Sequence, residues 1–303
     1  MLALCAPLAH ATVAAPGVYT GAASNVTSSS ATLAGSVNPH GSPTSIVFQY
    51  GRSAAYEAQT QAIQLDPGTT SVHVAGAIAG LPAFTVYHFR VVATNSAGTK
   101  YGEDRVFTTK KIPLKFAPLD VEPRPVAFGG RFSVTGGLSG TGAQGHSVVL
   151  EGSPFPYVRS FRPIAGPVTT DLNGRFTFAV PTLFESTALR VSTGDPIPVH
   201  SPTQIQLVAV RVAFHVRSTS RRGFARLFGT VTPSQPGARV AFQLLRPGRR
   251  PLTIAGARLG DSARTGSRFT RVVRIRRRGL YRAYVQVLGG EQIAGHSRAI
   301  SIG

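Results

Sequence analysis

The sequence contains no tryptophan, one methionine and one cysteine, Cys5. Cys5 lies in a short apolar N-terminus that ends in Ala9-His10-Ala11, a pattern typical of the end of a secretory signal. Residues 1–15 are therefore predicted to be a partial signal peptide or, alternatively, a disordered N-terminus. Cleavage near Ala11 would leave no thiol, which would exclude disulfides, thiolate catalysis and cysteine-ligated zinc.

Two further absences concern helices and membrane segments. No stretch keeps apolar residues at positions i, i+3, i+4 and i+7 over several turns, and no apolar run of about 18 residues follows the N-terminus. Glycine and proline are abundant, at 33 and 22 residues. The sequence therefore predicts an all-β protein without a transmembrane segment, and its 303 residues leave room for two or three domains.

The sequence does contain a recurring strand, in which aliphatic residues flank a glycine with a period of two. The copies are Leu33-Ala-Gly-Ser-Val37, Val134-Thr-Gly-Gly-Leu138 and Leu227-Phe-Gly-Thr-Val231. They lie roughly 100 residues apart, which is the length of one β-sandwich domain. The shared glycine predicts a close approach of the backbone or of a neighbouring sheet.

These copies set the expected domain boundaries. Three tandem β-sandwiches are predicted, at residues 16–109, 112–209 and 210–303. The second and third also end alike, with a His-Ser pair at His200 and again at His296. Because almost no linker separates the second from the third, we expect a stiff, extended rod.

The first segment carries a family resemblance. Its motifs, in order, are Ala31-Thr-Leu-Ala-Gly-Ser-Val-Asn-Pro-His-Gly41, Phe48-Gln-Tyr-Gly51, Tyr87-His-Phe-Arg90, Asn95-Ser-Ala-Gly98 and Phe107-Thr-Thr109. Over residues 16–109 the segment resembles a bacterial fibronectin type III domain, and the later segments look more loosely like bacterial immunoglobulin-like domains. The resemblance implies that Tyr87 is a corner residue bonded to upstream backbone, and that Asn95 and Gly98 are turn residues. It identifies a module and not a ligand.

Positive charge is concentrated at the C-terminal end. Residues 211–303 hold 19 arginines, no lysine and only two acids, Asp261 and Glu291, whereas the preceding residues are nearly balanced. Arginine clusters bind phosphates, sulfates and uronates through bidentate hydrogen bonds and counterion release. The alternative is that the arginines form an ordinary solvated surface.

The densest arginine run is predicted to form a hairpin that turns at Arg277-Arg278-Gly279. Alternation places Phe269, Val273 and Ile275 on one inward face, with Tyr281 and its same-parity neighbours on the next strand. The side chains expected to contact an anionic cell-wall polymer, polysaccharide or membrane headgroup are Arg274, Arg276, Arg277, Arg278, Arg282 and Tyr284. Nucleic acid is disfavoured as a partner, because no recognition helix, zinc finger or RNA-binding aromatic motif is present.

Other motifs do not indicate chemistry. Gly140-Thr-Gly-Ala-Gln-Gly145 fits a dinucleotide-binding pattern, but a strand follows it and not a helix, so it is predicted to be a turn. Asp171-Leu-Asn-Gly174 lacks the later glutamate of a calcium loop and is predicted to be an Asn-Gly hairpin turn. No nucleophile motif, shielded carboxylate pair or metal-spaced histidine pair is seen, so no catalytic, cofactor-binding or metal residues are expected.

Three function classes remain. The first is a non-enzymatic secreted or cell-envelope protein that acts as a modular spacer and interaction rod, with a basic C-terminal domain on an anionic surface. The alternative is a carbohydrate-binding accessory module of an extracellular polysaccharide-processing system, with Tyr56, Tyr101 and Tyr157 as sugar-binding rings. The third is an enzyme whose site is assembled from distant loops.

Overall fold

The computed structural model describes residues 13–260, 266–287 and 289–303. These residues form β-strands and turns and contain no helix, so the all-β prediction is confirmed. The described chain forms two compact units, one that ends at Pro113 and one from Leu114 to Gly303. The expected signal at residues 1–15 lies outside the described residues, apart from its last three positions.

The first unit is a sandwich of two antiparallel sheets around Leu33, Phe48 and Phe89, which are fully buried. Its strands are β1 (Gly17–Thr20), β2 (Ser30–Asn38), β3 (Thr44–Gly51), β4 (Ala58–Gln59), β5 (Ile63–Leu65), β6 (Val72–Ala79), β7 (Val86–Asn95), β8 (Gly98–Tyr101) and β9 (Arg105–Thr108). One sheet has the order β1-β2-β6. In the other, β3 pairs with β7, β4 and β5 lie beside β3, and β8 and β9 lie beside β7. We call this unit the first sandwich.

The second sandwich occupies the first half of the other unit, with Val134, Leu150 and Phe178 in its core. Its strands are β10 (Lys115–Phe116), β11 (Asp120–Glu122), β12 (Val126–Ala127), β13 (Gly130–Ser139), β14 (Ser147–Pro154), β15 (Arg162–Thr169), β16 (Arg175–Leu183), β17 (Thr187–Thr193), β18 (Gln204–Gln206) and β19 (Val208–Ala209). β13 pairs with β10, β11 and β16, and the facing sheet has the order β15-β14-β17-β18. The short strands β12 and β19 pair in parallel.

The third sandwich packs around Leu227, Phe242 and Tyr281, each buried to at least 99%. Its strands are β20 (Arg211–Ser218), β21 (Phe224–Thr232), β22 (Arg239–Arg246), β23 (Arg249–Arg258), β24 (Ser267–Arg274), β25 (Gly279–Gln286), β26 (Gly295–His296) and β27 (Ile300–Ile302). One sheet has the order β20-β21-β24. The other has the order β23-β22-β25, with β26 and β27 both on the far side of β25.

The repeated glycine strand is a central strand in each sandwich, namely β2, β13 and β21. Gly136 lies directly opposite Phe176, and Gly229 directly opposite Phe269. In both pairs the phenylalanine ring occupies the space that a Cβ on the glycine would need. The close approach predicted from the sequence is therefore present, and it is made by the same cross-strand pair in the second and third sandwiches.

The His-Ser pair marks another equivalent position in these two sandwiches. Ser201 exchanges backbone and side-chain hydrogen bonds with Val191 on β17, since the Val191 amide donates to Ser201 Oγ (2.8 Å) and the Ser201 amide donates to the Val191 carbonyl (2.8 Å). Ser297 makes the same two bonds to Ala283 on β25, at 3.0 and 2.9 Å. The shared ending seen in the sequence thus corresponds to one structural device used twice.

The turn at Asp171–Gly174 is tight, but it does not join two paired strands. Asp171 closes the turn before Arg175 by accepting backbone hydrogen bonds from Asn173 and Arg175, both at 2.8 Å. The prediction of an Asn-Gly hairpin is nevertheless wrong, because β15 pairs with β14 while β16 pairs with β13 in the facing sheet. Gly140–Gly145 does form a turn, as expected, and β14 follows it.

Main-chain hydrogen bonds connect the second sandwich directly to the third. The Phe128 amide donates to Ala209 from one side, and Ile293 exchanges bonds with Val208 and Val210 from the other. The Ser186 amide also donates to the Glu291 carbonyl, at 2.7 Å. The junction is therefore a bonded strand and not a free linker. The boundaries 16–109, 112–209 and 210–303 stay predictions, since the two compact units divide between Pro113 and Leu114.

Candidate anion-binding site

The six side chains predicted to contact an anionic polymer do not form one surface. β24, which ends at Arg274, pairs with β21, whereas β25, which begins at Gly279, pairs with β22 in the facing sheet. The predicted hairpin at Arg277-Arg278-Gly279 is therefore wrong, because the chain crosses there from one sheet to the other. Arg274 consequently lies on the outside of one sheet, while Arg282 and Tyr284 lie on the outside of the other.

The alternation within each strand follows the sequence prediction. Phe269, Val273 and Tyr281 are buried, and Ile275 is half-buried against the same core. Arg274 and Arg276 are exposed, whereas Arg282 and Tyr284 are half-buried on the outer face. The strands were thus identified with the correct inward face but with the wrong neighbours.

The crossover between the sheets presents three exposed arginines, Arg276, Arg277 and Arg278. Its backbone is held from inside, because the Tyr281 hydroxyl donates to the Arg277 carbonyl at 2.6 Å. Burial raises the pKa of Tyr281, and the positive charge of Arg277 only partly opposes this effect. The phenol therefore stays protonated and can donate. The arginine side chains themselves remain available to solvent and to an anion.

A second arginine turn meets this crossover. Arg246 and Arg249 of the β22–β23 turn line, together with Arg277 and Arg278, a depression of about 630 Å³. Arg246 folds back onto its own turn, where Nη2 donates to the Arg250 carbonyl at 2.6 Å. Sequence reasoning missed this contribution, although the segment Arg246-Pro-Gly-Arg-Arg250 is itself a dense basic turn.

Arg282 makes a cross-strand hydrogen bond that has an equivalent in each of the other two sandwiches. Its Nε donates to Gln243 Oε1 on the paired strand, at 3.0 Å. The equivalent bonds are Arg190 to Glu151 at 2.7 Å and Arg90 to Gln49 at 3.0 Å. Arg282 is therefore committed to a cross-strand bond. Tyr284 lies apart from it, in a groove of about 490 Å³ that also contains Arg239, Arg258 and Arg271.

Several arginines of the third sandwich lie directly opposite one another. The pairs are Arg217 with Arg226, Arg239 with Arg258, and Arg246 with Arg249. Like charges in directly opposite positions destabilise a sheet. None of the ion pairs between described residues includes an arginine of the third sandwich. The surface of the third sandwich is thus strongly positive, and no ion pair between described residues offsets the charge of its arginines.

In the first sandwich, the expected corner residue behaves differently from the prediction. Tyr87 is buried and its ring stacks on Phe107, with centroids 5.5 Å apart, but its hydroxyl bonds to no other described residue. Asn95 Nδ2 donates to the carbonyls of Ala14 (2.8 Å) and Pro39 (3.3 Å), and Gly98, with a φ of +136°, closes the turn. The tyrosine-to-backbone bond expected of Tyr87 is made by Tyr281 in the third sandwich.

Two of the three tyrosines proposed for sugar binding come together. The Arg90 guanidinium lies between Tyr56 and Tyr101, 4.4 and 4.3 Å from their ring centroids. The Tyr56 hydroxyl donates to Asp104, which His88 Nδ1 contacts at 2.8 Å. Tyr157 does not join them, because it packs edge-on against Phe155 in the second sandwich.

The described part of the chain contains no group of three or more His, Cys, Asp or Glu side chains arranged to hold a metal ion. Within the same residues, there is no helix that could span a membrane.

No family model matches the sequence, and no curated protein matches it. The fold is similar to solved structures at low identity. One is the sensor domain of the anti-sigma factor RsgI4 from Pseudobacteroides cellulosolvens, which is 20% identical with a TM-score of 0.25. The aligned region covers 31% of this chain and 89% of the sensor-domain chain.

Two longer structures align over most of the chain. The chicken CNTN1 FN1-FN3 domains are 15% identical with a TM-score of 0.29, and cover 95% of this chain and 97% of their own. A marsupial T cell receptor is 12% identical with a TM-score of 0.33, and covers 88% of this chain and 96% of its own. At these values the similarities do not assign the chain to a family, and its architecture is that of tandem all-β sandwiches.

Proposed function

We propose that this chain is a non-enzymatic extracytoplasmic spacer and interaction protein whose arginine-rich third sandwich contacts anionic surface polymers. The observation that carries the proposal is the opposed arginine pairs, Arg217 with Arg226 and Arg239 with Arg258, on a surface where no ion pair between described residues offsets them. Such pairs cost stability, and a bound polyanion would relieve that cost through charge-assisted hydrogen bonds.

The bonded junction between the second and third sandwiches supports the spacer part of the proposal. Backbone hydrogen bonds on both sides of Val208–Val210 hold the third sandwich in a fixed place on the second. Because the third sandwich is held in this way, its arginine-rich surface keeps one orientation relative to the second sandwich. The proposal includes no cofactor and no catalytic residue, since the sequence offers no activated nucleophile or shielded carboxylate pair.

Binding of the full-length chain to immobilised polymers tests the charge part. The polymers are polygalacturonate, a sulfated heparin and neutral dextran, each eluted with a salt gradient. We expect retention on both acidic polymers and none on dextran. A variant with glutamine in place of Arg217, Arg226, Arg268, Arg276, Arg277 and Arg278 should elute at markedly lower salt, because it releases fewer counterions.

A control variant removes three positive charges from the first sandwich, by glutamine substitution of Lys100, Lys110 and Lys111. This variant should elute where the unmodified chain does. Equal retention on dextran, or a larger effect of the lysine substitutions than of the arginine substitutions, would refute the proposal.

The second candidate function is a saccharide-binding site in the first sandwich. It is supported by the clustering of Tyr56 and Tyr101, which flank Arg90; Tyr101 is exposed and Tyr56 is half-buried. Binding to a panel of neutral glycans should then be independent of salt and should be lost in Tyr101→Ala. Tyr157→Ala is the control, because Tyr157 lies in a different sandwich. Salt-sensitive binding that survives Tyr101→Ala would favour the basic third sandwich instead.

Extracytoplasmic location is also part of the proposal, and it depends on the N-terminal sequence pattern. Fractionation of the native cells followed by N-terminal sequencing of the protein would test it. We expect a mature chain that starts close to Ala11. Recovery of the chain from the cytoplasm with Met1 in place would contradict the location.

A further inference from the structure

The outer face of the sheet β20-β21-β24 has an aromatic centre. His215, Phe228 and Thr270 form one rung across the three strands, with His215 opposite Phe228 and Phe228 opposite Thr270. The His215 and Phe228 rings are tilted by 30° with centroids 5.4 Å apart. His215 is exposed and Phe228 half-buried, so the two adjacent rings form an aromatic strip on this face.

Arginines lie on both sides of this strip. On one side, two residues along the strands, Arg217 lies opposite Arg226, and on the other side Arg268 lies opposite Thr230. Each step of two residues is about 7 Å along a strand. All three arginines are exposed. With His215, Phe228, Thr230 and Thr270 they line a shallow depression of about 480 Å³.

The three strands of this face carry no negative charge of their own. The strands β20, β21 and β24 contain no aspartate and no glutamate. No ion pair joins the three arginines to another described residue. The Arg217–Arg226 pair places two guanidinium groups in directly opposite positions, which destabilises the sheet in the absence of an anion. The arrangement is therefore complementary to an external anion.

We propose that this face binds an acidic polysaccharide, with its carboxylate or sulfate groups on Arg217, Arg226 and Arg268 and the apolar face of a sugar ring on the His215–Phe228 strip. The planar guanidinium group matches such oxyanions in bidentate geometry. Thr230 and Thr270 are exposed in the same depression, and their side chains offer hydroxyl groups to the sugar. The inference rests on the proposed function and gives it a ligand class and a location.

The same face is less suited to a nucleic acid strand. Successive bases require a series of free aromatic platforms. Besides the His215–Phe228 strip, the outward aromatic side chain in these strands is Phe224, and the Arg221 guanidinium lies on its ring, 4.2 Å from the centroid. One free strip with arginines on both sides therefore favours a sugar ring with acidic substituents.

Two triple variants of the full-length chain test the proposal, because both remove three positive charges. One, the face variant, is Arg217→Gln/Arg226→Gln/Arg268→Gln. The other, the crossover variant, is Arg276→Gln/Arg277→Gln/Arg278→Gln. Calorimetric titration with an oligogalacturonate and with a heparin oligosaccharide should show at least a tenfold loss of affinity in the face variant and less than a threefold loss in the crossover variant.

A third variant, Phe228→Leu, keeps all the charges and removes the aromatic ring. It should weaken oligosaccharide binding severalfold while the dependence of affinity on salt concentration stays the same. The thermal midpoint of the face variant serves as a fold control, and it should not fall, since opposed like charges are removed. Should the face variant fail to fold, Phe228→Leu still decides whether the strip contacts the ligand.

The outcomes separate the site from the proposed function. Equal losses in the two triple variants, or no effect of Phe228→Leu, would overturn the site and leave the proposed function standing. Tighter binding of a single-stranded oligonucleotide than of the acidic oligosaccharides would assign the face to nucleic acid and overturn the ligand class. Absence of binding to every polyanion would overturn both.

Discussion

Tyr281 and Tyr87 are buried tyrosines on equivalent central strands, β25 and β7, but they use their hydroxyls differently. The Tyr281 hydroxyl donates to the Arg277 carbonyl and fixes the arginine-bearing crossover. The Tyr87 ring stacks on Phe107, and its hydroxyl bonds to no other described residue. The hydroxyl therefore supports structure in the third sandwich, whereas the aromatic ring does so in the first.

This difference predicts unequal effects of removing the two hydroxyls. Tyr281→Phe should lower the free energy of unfolding of the third sandwich by about 1 kcal/mol, the usual scale for one buried hydrogen bond. Tyr87→Phe should cost clearly less in the first sandwich, since stacking and burial are kept. Urea unfolding of the full-length chain measures both. A larger cost for Tyr87→Phe would show that the Tyr87 hydroxyl does form a stabilising hydrogen bond.

Asp104 links acidity to the stability of the first sandwich. Partial burial raises its pKa, but hydrogen bonds from His88 and Tyr56 outweigh that effect and hold the pKa of Asp104 below its ordinary value. The charged carboxylate is thus favoured in the folded state. Its stabilising contribution is complete above the unfolded value, about 3.9, and is lost as the pH falls through the lower folded value.

Asp104→Asn should therefore lower the melting temperature of the first sandwich at pH 7, and the difference from the unmodified chain should shrink as the pH falls below about 4. Circular dichroism melts at several pH values measure it. The control is Asp66→Asn, which removes a carboxylate from an exposed position. The same pH-dependent difference in both variants would contradict the role of the His88 and Tyr56 bonds.

At the scale of single residues, sequence alternation correctly predicted which side chains face the core, including Phe269, Val273 and Tyr281. It could not predict the partner of the Tyr281 hydroxyl, because that partner is set by the path of the crossover. The repeated Arg-to-Gln/Glu bonds were also missed. Their spacings of 41, 39 and 39 residues were a signal, since one pair recurs in each sandwich.

Strands and turns show a more specific limit of sequence reasoning. Both Asp171–Gly174 and Arg277–Gly279 have the glycine-containing composition of a hairpin turn, yet each joins strands of facing sheets. A tight turn and a crossover can have the same local chemistry. Which sheet the next strand joins depends on pairing with strands far away in sequence, which local patterns do not encode. The arginine ladder predicted from the hairpin failed for this reason.

The close approach at Gly229, in the centre of β21, was predicted from the sequence, and its effect on stability can be measured. A Cβ at position 229 would overlap the Ala213 carbonyl oxygen and the Phe269 ring. Gly229→Ala should therefore destabilise the third sandwich by about 1–3 kcal/mol, the range for overpacking. Gly289→Ala is the matched control, because a Cβ there meets open space. Similar melting temperatures for the two variants would show that the sheet opens to accept the methyl group.

For the whole molecule, the sequence identified where the charge lies but not how it is arranged. The excess of arginine after residue 210 is evident from composition, while the aromatic strip at His215 and Phe228 is not. Those two residues lie 13 positions apart in separate strands, and only the register of β20 against β21 brings them together. The candidate site is therefore a product of strand pairing and not of a contiguous motif.

The bonded junction also governs how the molecule unfolds. Val208–Val210 donates and accepts backbone bonds with both neighbouring sandwiches, and Gly290 of the third packs on the Phe155 ring of the second. Opening either sandwich therefore exposes backbone groups that were paired in the other. Unpaired backbone groups are costly, so the second and third sandwiches should be coupled in stability.

Gly229→Ala provides a test of this coupling, because it acts inside the third sandwich and changes no residue of the junction. Hydrogen exchange followed by mass spectrometry reports each sandwich separately in the full-length chain. We expect faster exchange in the third sandwich and, to a smaller degree, in β12, β17 and β19 of the second. Exchange in the first sandwich should stay unchanged, because it belongs to a separate compact unit. If protection fell in the third sandwich alone, the junction would be a contact between independent domains, and the rigid mounting assumed for the basic surface would be lost.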